Sequence, residues 1–229
     1  MKIGIIGAGN IGGTLTRRLT ALGHQVSVAN SRGPETLTDL AEEIGATPVT
    51  SSEAARGNDL VIIAIPEGRV PELAADLFEG VPDDVVVVET GNYYPQRDGR
   101  IAEIEEGMPE SRWVERQIGR PVIKAFNNIQ ARDLMHGGKP RGRPGRIALP
   151  VAGDDDAAKG MVMRLIDELG FDPVDAGGLD ESWRQQPGTP VYITNLDADG
   201  VRRALAEASP ERPAEFRAWV DGPSSRGHT

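Results

Sequence analysis

The sequence predicts an α/β protein, a doubly wound, mostly parallel sheet with a small C-terminal extension. Three observations predict it. Short β-branched runs alternate with amphipathic segments through the first half of the chain, the pattern of parallel strands joined by crossover helices. Two runs, Leu60–Ile65 and Val85–Val88, are almost continuously apolar, as strands covered on both faces require. A glycine-rich turn, Gly7-Ala8-Gly9-Asn10-Ile11-Gly12, joins the first apolar run directly to the first amphipathic one.

Taken in order, Lys2–Ile6 is predicted as a strand and Ile11–Leu22 as a helix, ended at Gly23-His24, where glycine takes a left-handed conformation at no steric cost. Gln25–Ala29 reads as the second strand. A helix is expected over Pro34–Ile44, because proline in the first turn lacks only an N–H that has no partner there. A short strand follows near Thr47–Val49, then a helical turn capped by Ser51-Ser52. Pro66 stops the strand Leu60–Ile65, and a helix is expected around Val70–Phe78. Pro121–Phe126 and Arg146–Ala152 read as the sixth and seventh strands. Ala157–Leu169 reads as a helix, with Asp154-Asp155-Asp156 at its positive end and Gly170 closing it. Tyr93–Trp113 and Leu134–Gly145, rich in Gly, Pro and Arg, are expected to be long loops of the kind that form lids. From Pro210 a short helix and then a frayed tail are expected.

The chain has 229 residues, a net charge of −10 and no cysteine. Without thiols, disulfides, thiolate metal sites and cysteine nucleophiles are excluded, and any redox chemistry must come from a bound cofactor. The acidic balance argues against nucleic acid and anionic membranes as partners. No apolar run is long enough to span a bilayer. The opening Met1-Lys2-Ile3-Gly4-Ile5-Ile6-Gly7 reads as a strand and not a targeting signal, which implies a cytoplasmic protein. Adjacent carboxylates at Asp154-Asp155-Asp156 are read as helix caps, and no metal site is expected.

The G-x-G-x-x-G at 7–12 gains its meaning from its place between strand and helix. Gly7 permits the tight turn, Gly9 lets the backbone approach a pyrophosphate, and Gly12 lets helix pack on strand. Ala8, Asn10 and Ile11 complete the loop, and the helix N-terminus faces the phosphates. This is the Rossmann-type fingerprint. A carboxylate at the end of the second strand would accept the adenosine ribose 2′-hydroxyl of NAD. Here the chain has Asn30-Ser31-Arg32 instead. Ser31 can donate to a 2′-phosphate and Arg32 can neutralise it with a two-pronged contact, so NADP(H) is the expected dinucleotide. The expected division is a dinucleotide-binding domain over 1–152, a small segment over 153–220 that completes the site or a dimer interface, and a flexible tail over 221–229.

Several motifs together resemble the NADP oxidoreductases that use the deazaflavin coenzyme F-420, a group related to the nucleotide-binding domains of the STEAP metalloreductases. They are the 6–12 glycine turn, Asn30-Ser31-Arg32-Gly33-Pro34-Glu35, Ala64-Ile65-Pro66, Lys124-Ala125-Phe126-Asn127-Asn128 and Val151-Ala152-Gly153-Asp154-Asp155-Asp156-Ala157-Ala158-Lys159. The resemblance implies NADPH held at the strand ends and hydride exchange with a deazaflavin stacked on the nicotinamide. It places Ser31 and Arg32 at the 2′-phosphate, Ile65 and Pro66 along the ribose and nicotinamide, and Asn127 near the second cofactor. Ala64 beside that edge, and Thr90, Gly91 and Asn92 after the strand 85–88, are also expected to bind the dinucleotide. In such a reaction the protein supplies alignment and exclusion of water. The segments 90–99, 135–146 and 181–190 depart from the resemblance and face the acceptor side. A free flavin, a ferric chelate or a small carbonyl or imine compound is therefore an alternative acceptor, and an NADP(H)-sensing module without turnover is a second alternative.

Other residues carry two readings each. Tyr93, Tyr94 and Trp183 could sandwich a flat ring or pack between the two halves of the chain. Lys124 could be a proton donor with a lowered pKa, or pair with a carboxylate such as Glu89. His136 could be a general acid on a closing lid, or a solvated loop residue. Lys139, Arg141, Arg143 and Arg146 could hold the anionic tail of a substrate, or keep a loop soluble.

Overall fold

The computed structural model describes residues 1–218. The tail expected over 221–229, with residues 219–220 before it, lies outside the described residues. Six parallel strands form the main sheet: β1 (Lys2–Ile6), β2 (Gln25–Ala29), β3 (Thr47–Pro48), β4 (Leu60–Ile63), β5 (Val86–Glu89) and β6 (Ile123–Lys124). Their spatial order is β3-β2-β1-β4-β5-β6, the doubly wound order whose direction reverses between β1 and β4. Alternate residues face opposite layers. Ile3, Ile5, Leu60 and Ile62 join the core under helices α1 (Asn10–Ala21) and α8 (Asp156–Glu168), whereas Ile6, Val61 and Ala29 pack on the other face against α3 (Ser51–Ala55).

A second, two-stranded parallel sheet pairs β7 (Ala148–Val151) with β8 (Asp172–Asp175) across α8. The seventh strand thus forms, but it meets the main sheet only through an antiparallel bridge between Lys124 and Ala152. β8 was not expected; its Asp172-Pro173-Val174-Asp175 has too few apolar residues to read as a strand. Helix α9 (Ala198–Ala206), capped by Asp197, buries Val201, Ala204 and Leu205 against Ala148 and Val174.

The differences from the expected elements have local causes. Residues 67–72 form a 3-10 helix with Pro71 inside it, and no α-helix follows over 70–78; a proline interior to a helix lacks the N–H that α-helical pairing needs. The 34–44 helix divides into a 3-10 turn at Pro34–Leu37 and α2 (Thr38–Ile44). The cap of α3 is Thr50, one residue before Ser51, in a reciprocal capping box with Glu53. The N-cap of α8 is Asp155, whose carboxylate accepts from the amides of Ala157 and Ala158. The loop expected over 93–113 contains α4 (Pro95–Asp98), α5 (Ala102–Glu105) and the start of α6 (Glu110–Ile118), because Gly99, Gly107 and Pro109 punctuate short helices there. Helix α7 (Ala131–His136) takes up the start of the second expected loop. After Pro210 the helix is a 3-10 turn at Ala214–Phe216. Among the described residues no helix is long and apolar enough to cross a membrane.

Candidate active site

The glycine turn is built as a cradle. Gly7 sits at φ 111°, and a Cβ there would collide with the carbonyl oxygen of Ala64 on the neighbouring strand. A Cβ on buried Gly12 would run into the carbonyl of Gly7, so these two positions need glycine for packing. Gly9 differs: a Cβ there would meet nothing within 4 Å. It faces open cleft, where a ligand backbone can come close. Helix α1 begins at the next residue, with no side-chain cap and no acid in its first turn. Its first N–H groups therefore present unpaired donors and the positive end of the helix to the same space.

Two cavities open from this turn. The first, about 590 Å³, is lined by Gly7, Ala8 and Gly9, by Asn30, Ser31 and Arg32 at the end of β2, and by Ala64, Ile65 and Pro66. Asn30 shapes the β2 end: its side-chain carbonyl accepts from the Arg32 amide at 2.9 Å, and its amide nitrogen donates to Thr36 Oγ1 at 2.9 Å. Ser31 and Arg32 are exposed to the cavity, and Arg32 makes no ion pair among the described residues. The nearest acid, Glu35, folds onto Gly33.

The second cavity, about 670 Å³, shares Gly9, Ala64, Ile65 and Pro66 with the first and continues past Asn10, Ile11, Thr90, Gly91 and Asn92 to Asn127. Every residue expected to touch the dinucleotide lines one or both cavities except Gly12, which is buried beneath them. The far wall is Tyr94, Arg97, Tyr192 and Ile193. The hydroxyls of Tyr94 and Tyr192 are hydrogen-bonded to each other, and the Arg97 guanidinium lies 4.9 Å over the Tyr94 ring. Burial raises the Tyr94 pKa above that of an ordinary phenol. Asn127 Nδ2 donates to Asn92 Oδ1 at 3.1 Å and to the carbonyl of Gln185 at 2.7 Å, so its donors fix the cavity wall. Two non-glycine residues adopt left-handed backbone, Phe126 at φ 62° and Ile193 at φ 51°; one immediately precedes Asn127 and the other lies on the rim. Conformations of this kind cost about 1–3 kcal/mol each and persist where surrounding structure holds them.

Beneath Gly91 lies a buried ionic floor. Lys124 and Glu89 pair at 2.7 Å with side-chain exposures of 0% and 2%. Both groups also hold the Gly91 peptide: its N–H donates to Glu89 Oε2 at 2.7 Å, and its carbonyl accepts from Lys124 Nζ at 2.7 Å. Ser111 donates to the same carboxylate. Burial alone would lower the Lys124 pKa, but the attraction of the neighbouring carboxylates, Glu89 foremost, outweighs it and raises the pKa above the ordinary lysine value. Of the two readings of Lys124, the proton donor with a lowered pKa is corrected and the pairing with Glu89 is the one the structure shows. The pair is a clamp on the loop at Gly91.

For three further sets of residues the structure selects between the two readings. Tyr93 is fully buried in a satellite core with Ile104, Trp113 and Val114, its hydroxyl accepting from the Ile101 amide at 3.1 Å. Trp183 faces a different cavity, with Arg184 over its ring. Of the three aromatics only Tyr94 reaches the site. His136 ends α7 exposed and lines neither cavity. In the basic loop, Arg146 is buried and pairs with Asp167 at 2.8 Å and Asp172 at 2.5 Å, Arg141 pairs with Asp167 at 2.6 Å, and Lys139 donates to the carbonyl of Gly145 at 2.8 Å. Those cations hold the fold together away from the trough. Arg97 falls in the 90–99 segment expected on this side, whereas Tyr192 and Ile193 carry no expectation, because only the return of the C-terminal segment brings them to the cavity. A lone tyrosine after Pro187-Gly188 carries no local signal of that return.

Fold and cradle together define a dinucleotide-binding protein of the Rossmann type, with its ligand trough at the carboxyl ends of the strands where the strand order reverses. The family model of NADP oxidoreductases, coenzyme F420-dependent, matches residues 2–93. The Sinorhizobium meliloti protein SMa0349 is 32% identical, with 86% of this chain and 95% of that chain covered and a TM-score of 0.72. A protein of Arthrobacter sp. FB24 assigned as an F420-dependent NADP-reductase shares the fold at 24% identity and a TM-score of 0.64, covering 78% of this chain and 86% of its own. YjhV of Escherichia coli (strain K12) is 48% identical over 86 residues, which are 38% of this chain; the chain spans 56% of that relative's length. Residues 2–93 thus match the family of NADP oxidoreductases, coenzyme F420-dependent, whose dinucleotide is NADP, and the chain as a whole shares the fold of the solved structures named here.

Proposed function

We propose that the protein transfers a hydride between NADPH and a small-molecule acceptor, with the deazaflavin coenzyme F-420 as the favoured acceptor. The observation that carries this reading is the open face of Gly9 at the uncapped start of α1, with Ser31 and Arg32 in the same cavity. The pyrophosphate would lie across Gly9 and the α1 amides, and Ser31 and Arg32 would hold the 2′-phosphate. Bound there, the dinucleotide supplies the hydride. The residues of the second cavity align the two rings and exclude water.

The family match over residues 2–93 favours a deazaflavin. No cation of the basic loop at 139–146 lines the second cavity, which leaves Arg132 on its rim, exposed and without an ion pair among the described residues, to meet an anionic tail. A small carbonyl compound is the second reading, favoured by the Tyr94 and Tyr192 hydroxyls that face the cavity and could donate to an oxygen. Purified protein mixed with NADPH and, in turn, coenzyme F-420, FMN and a panel of carbonyl compounds separates these by the nicotinamide and deazaflavin absorbance bands. Tight NADPH binding without turnover on any acceptor would replace the enzyme reading with a sensor.

Arg32→Ala is expected to weaken NADPH binding by about 1.5–3 kcal/mol while leaving NADH nearly unchanged, as loss of a charge-assisted phosphate contact requires. Equal losses for both dinucleotides, measured by nicotinamide fluorescence titration, would reject the phosphate assignment. Gly9→Ala is expected to change stability by about 1 kcal/mol or less, since its Cβ meets open space and the position is a helix N-cap. Binding of both NADPH and NADH should nonetheless fall. Retained affinity would show that the pyrophosphate lies elsewhere.

A further inference from the structure

We propose that Glu67 is a redox-linked proton store: its carboxyl, enclosed behind the cofactor loop without a hydrogen-bond partner, holds a proton while the nicotinamide is reduced and releases it when the ring is oxidised. The inference rests on the dinucleotide reading above. Glu67 follows Pro66, the edge shared by both cavities, yet it is completely buried and neither carboxyl oxygen has a partner among the described residues. It lies directly behind Gly91, with Oε1 3.0 Å from where a Cβ on that glycine would stand.

The charged groups around it come from every element packed against it. Glu89 and Lys124 lie on β5 and β6, Glu110 on α6 and Asp98 on α4. Each of the other acids has its own cation: Glu89 pairs with Lys124 at 2.7 Å, Glu110 with Arg212 at 2.6 Å, and Asp98 with Arg97 at 2.8 Å. Glu67 is left over, and the cluster is electrically neutral only if Glu67 carries a proton. Burial, then repulsion by Glu110, pushes its pKa well above the carboxylate range, against the attraction of Lys124.

Hydride transfer turns the nicotinamide from a neutral ring into a cation, and a cation near this low-dielectric pocket favours the ionised carboxyl. The reduced acceptor takes a hydride from the ring and a proton from water in the cleft. Glu67 returns one proton to that water, so one proton is consumed and one released. The carboxyl is reprotonated when NADPH replaces NADP⁺.

The test uses the full chain and no acceptor. Calorimetric titration of NADP⁺ and of NADPH in buffers of different ionisation enthalpy gives the protons exchanged on binding each form. Wild type is expected to release more protons with NADP⁺ than with NADPH, the 2′-phosphate being common to both, and Glu67→Gln should abolish that difference. No difference in wild type, or one that persists in Glu67→Gln, overturns the inference. Infrared spectra of wild type alone give a second readout: the protonated-carboxyl band should be present with NADPH and lost with NADP⁺, and its absence with NADPH overturns the proposal without any variant. Failure of both dinucleotides to bind would refute the underlying reading instead.

Discussion

Lys124→Met should destabilise the protein by about 3–5 kcal/mol, the cost of stranding a buried charge by removing its partner. Glu89 would keep only Ser111 and the Gly91 amide as donors, in a pocket where its side chain is 2% exposed. The measurement is a denaturant midpoint shift at unchanged slope. The Gly91 carbonyl would also lose its donor, so NADPH affinity should fall along with stability. Adding Glu89→Leu to the variant removes the stranded carboxylate and should restore most of the stability, because replacing both partners of a buried pair is far cheaper than removing one. It should not restore the cofactor loop, whose Gly91 peptide would then have neither clamp. A double variant no more stable than Lys124→Met alone would show that the pair contributes through something other than charge.

Arg146→Met should cost a similar amount, about 3 kcal/mol at the lower end of that range because both acid partners keep some contact with water. The guanidinium is 4% exposed and donates to the carbonyls of Lys139, Gly170 and Asp167 as well as to Asp167 and Asp172. It fastens the 137–145 loop to the end of α8 and the start of β8. No part of this joint lines either cavity, so NADPH binding to the folded variant should match wild type. The pH dependence has a definite sign. Hydrogen bonds from Arg141, then Arg146, hold the Asp167 carboxyl below its ordinary value of 3.8. A depressed acid contributes stability that is present above its unfolded pKa and lost as pH falls through the folded one. Acid unfolding below about pH 4 should therefore be less steep in Arg146→Met than in wild type. An unchanged acid limb would mean that Arg141 alone sets the Asp167 titration.

What the sequence disclosed and what it hid divide along physical lines. The glycine turn, the β2 end and the apolar strands could be read because each is a local constraint: a backbone conformation, a missing carboxylate, a run of residues covered on two faces. The helix expected around 70–78 does not form because Pro71 removes an interior helix donor. The acceptor wall stayed hidden because Tyr192 and Ile193 meet Tyr94 and Asn127 only through the long return of the C-terminal segment, and no spacing rule registers a contact across about a hundred residues. The pairing of Lys124 with Glu89 is legible as one of two readings, because both lie on neighbouring apolar strands; the partners of Arg146, Asp167 and Asp172, are not, because only the packing of α8 and β8 on the 137–145 loop brings them to it.

The first cavity is assembled wholly from residues 6–74, inside the stretch 2–93 that the family model matches, whereas the wall of the second cavity, where the proposed acceptor would lie, draws on residues as late as 193. The grip on the dinucleotide can stay fixed while the later segments are rewritten, so a change of acceptor would require no alteration to the turn that binds the phosphates.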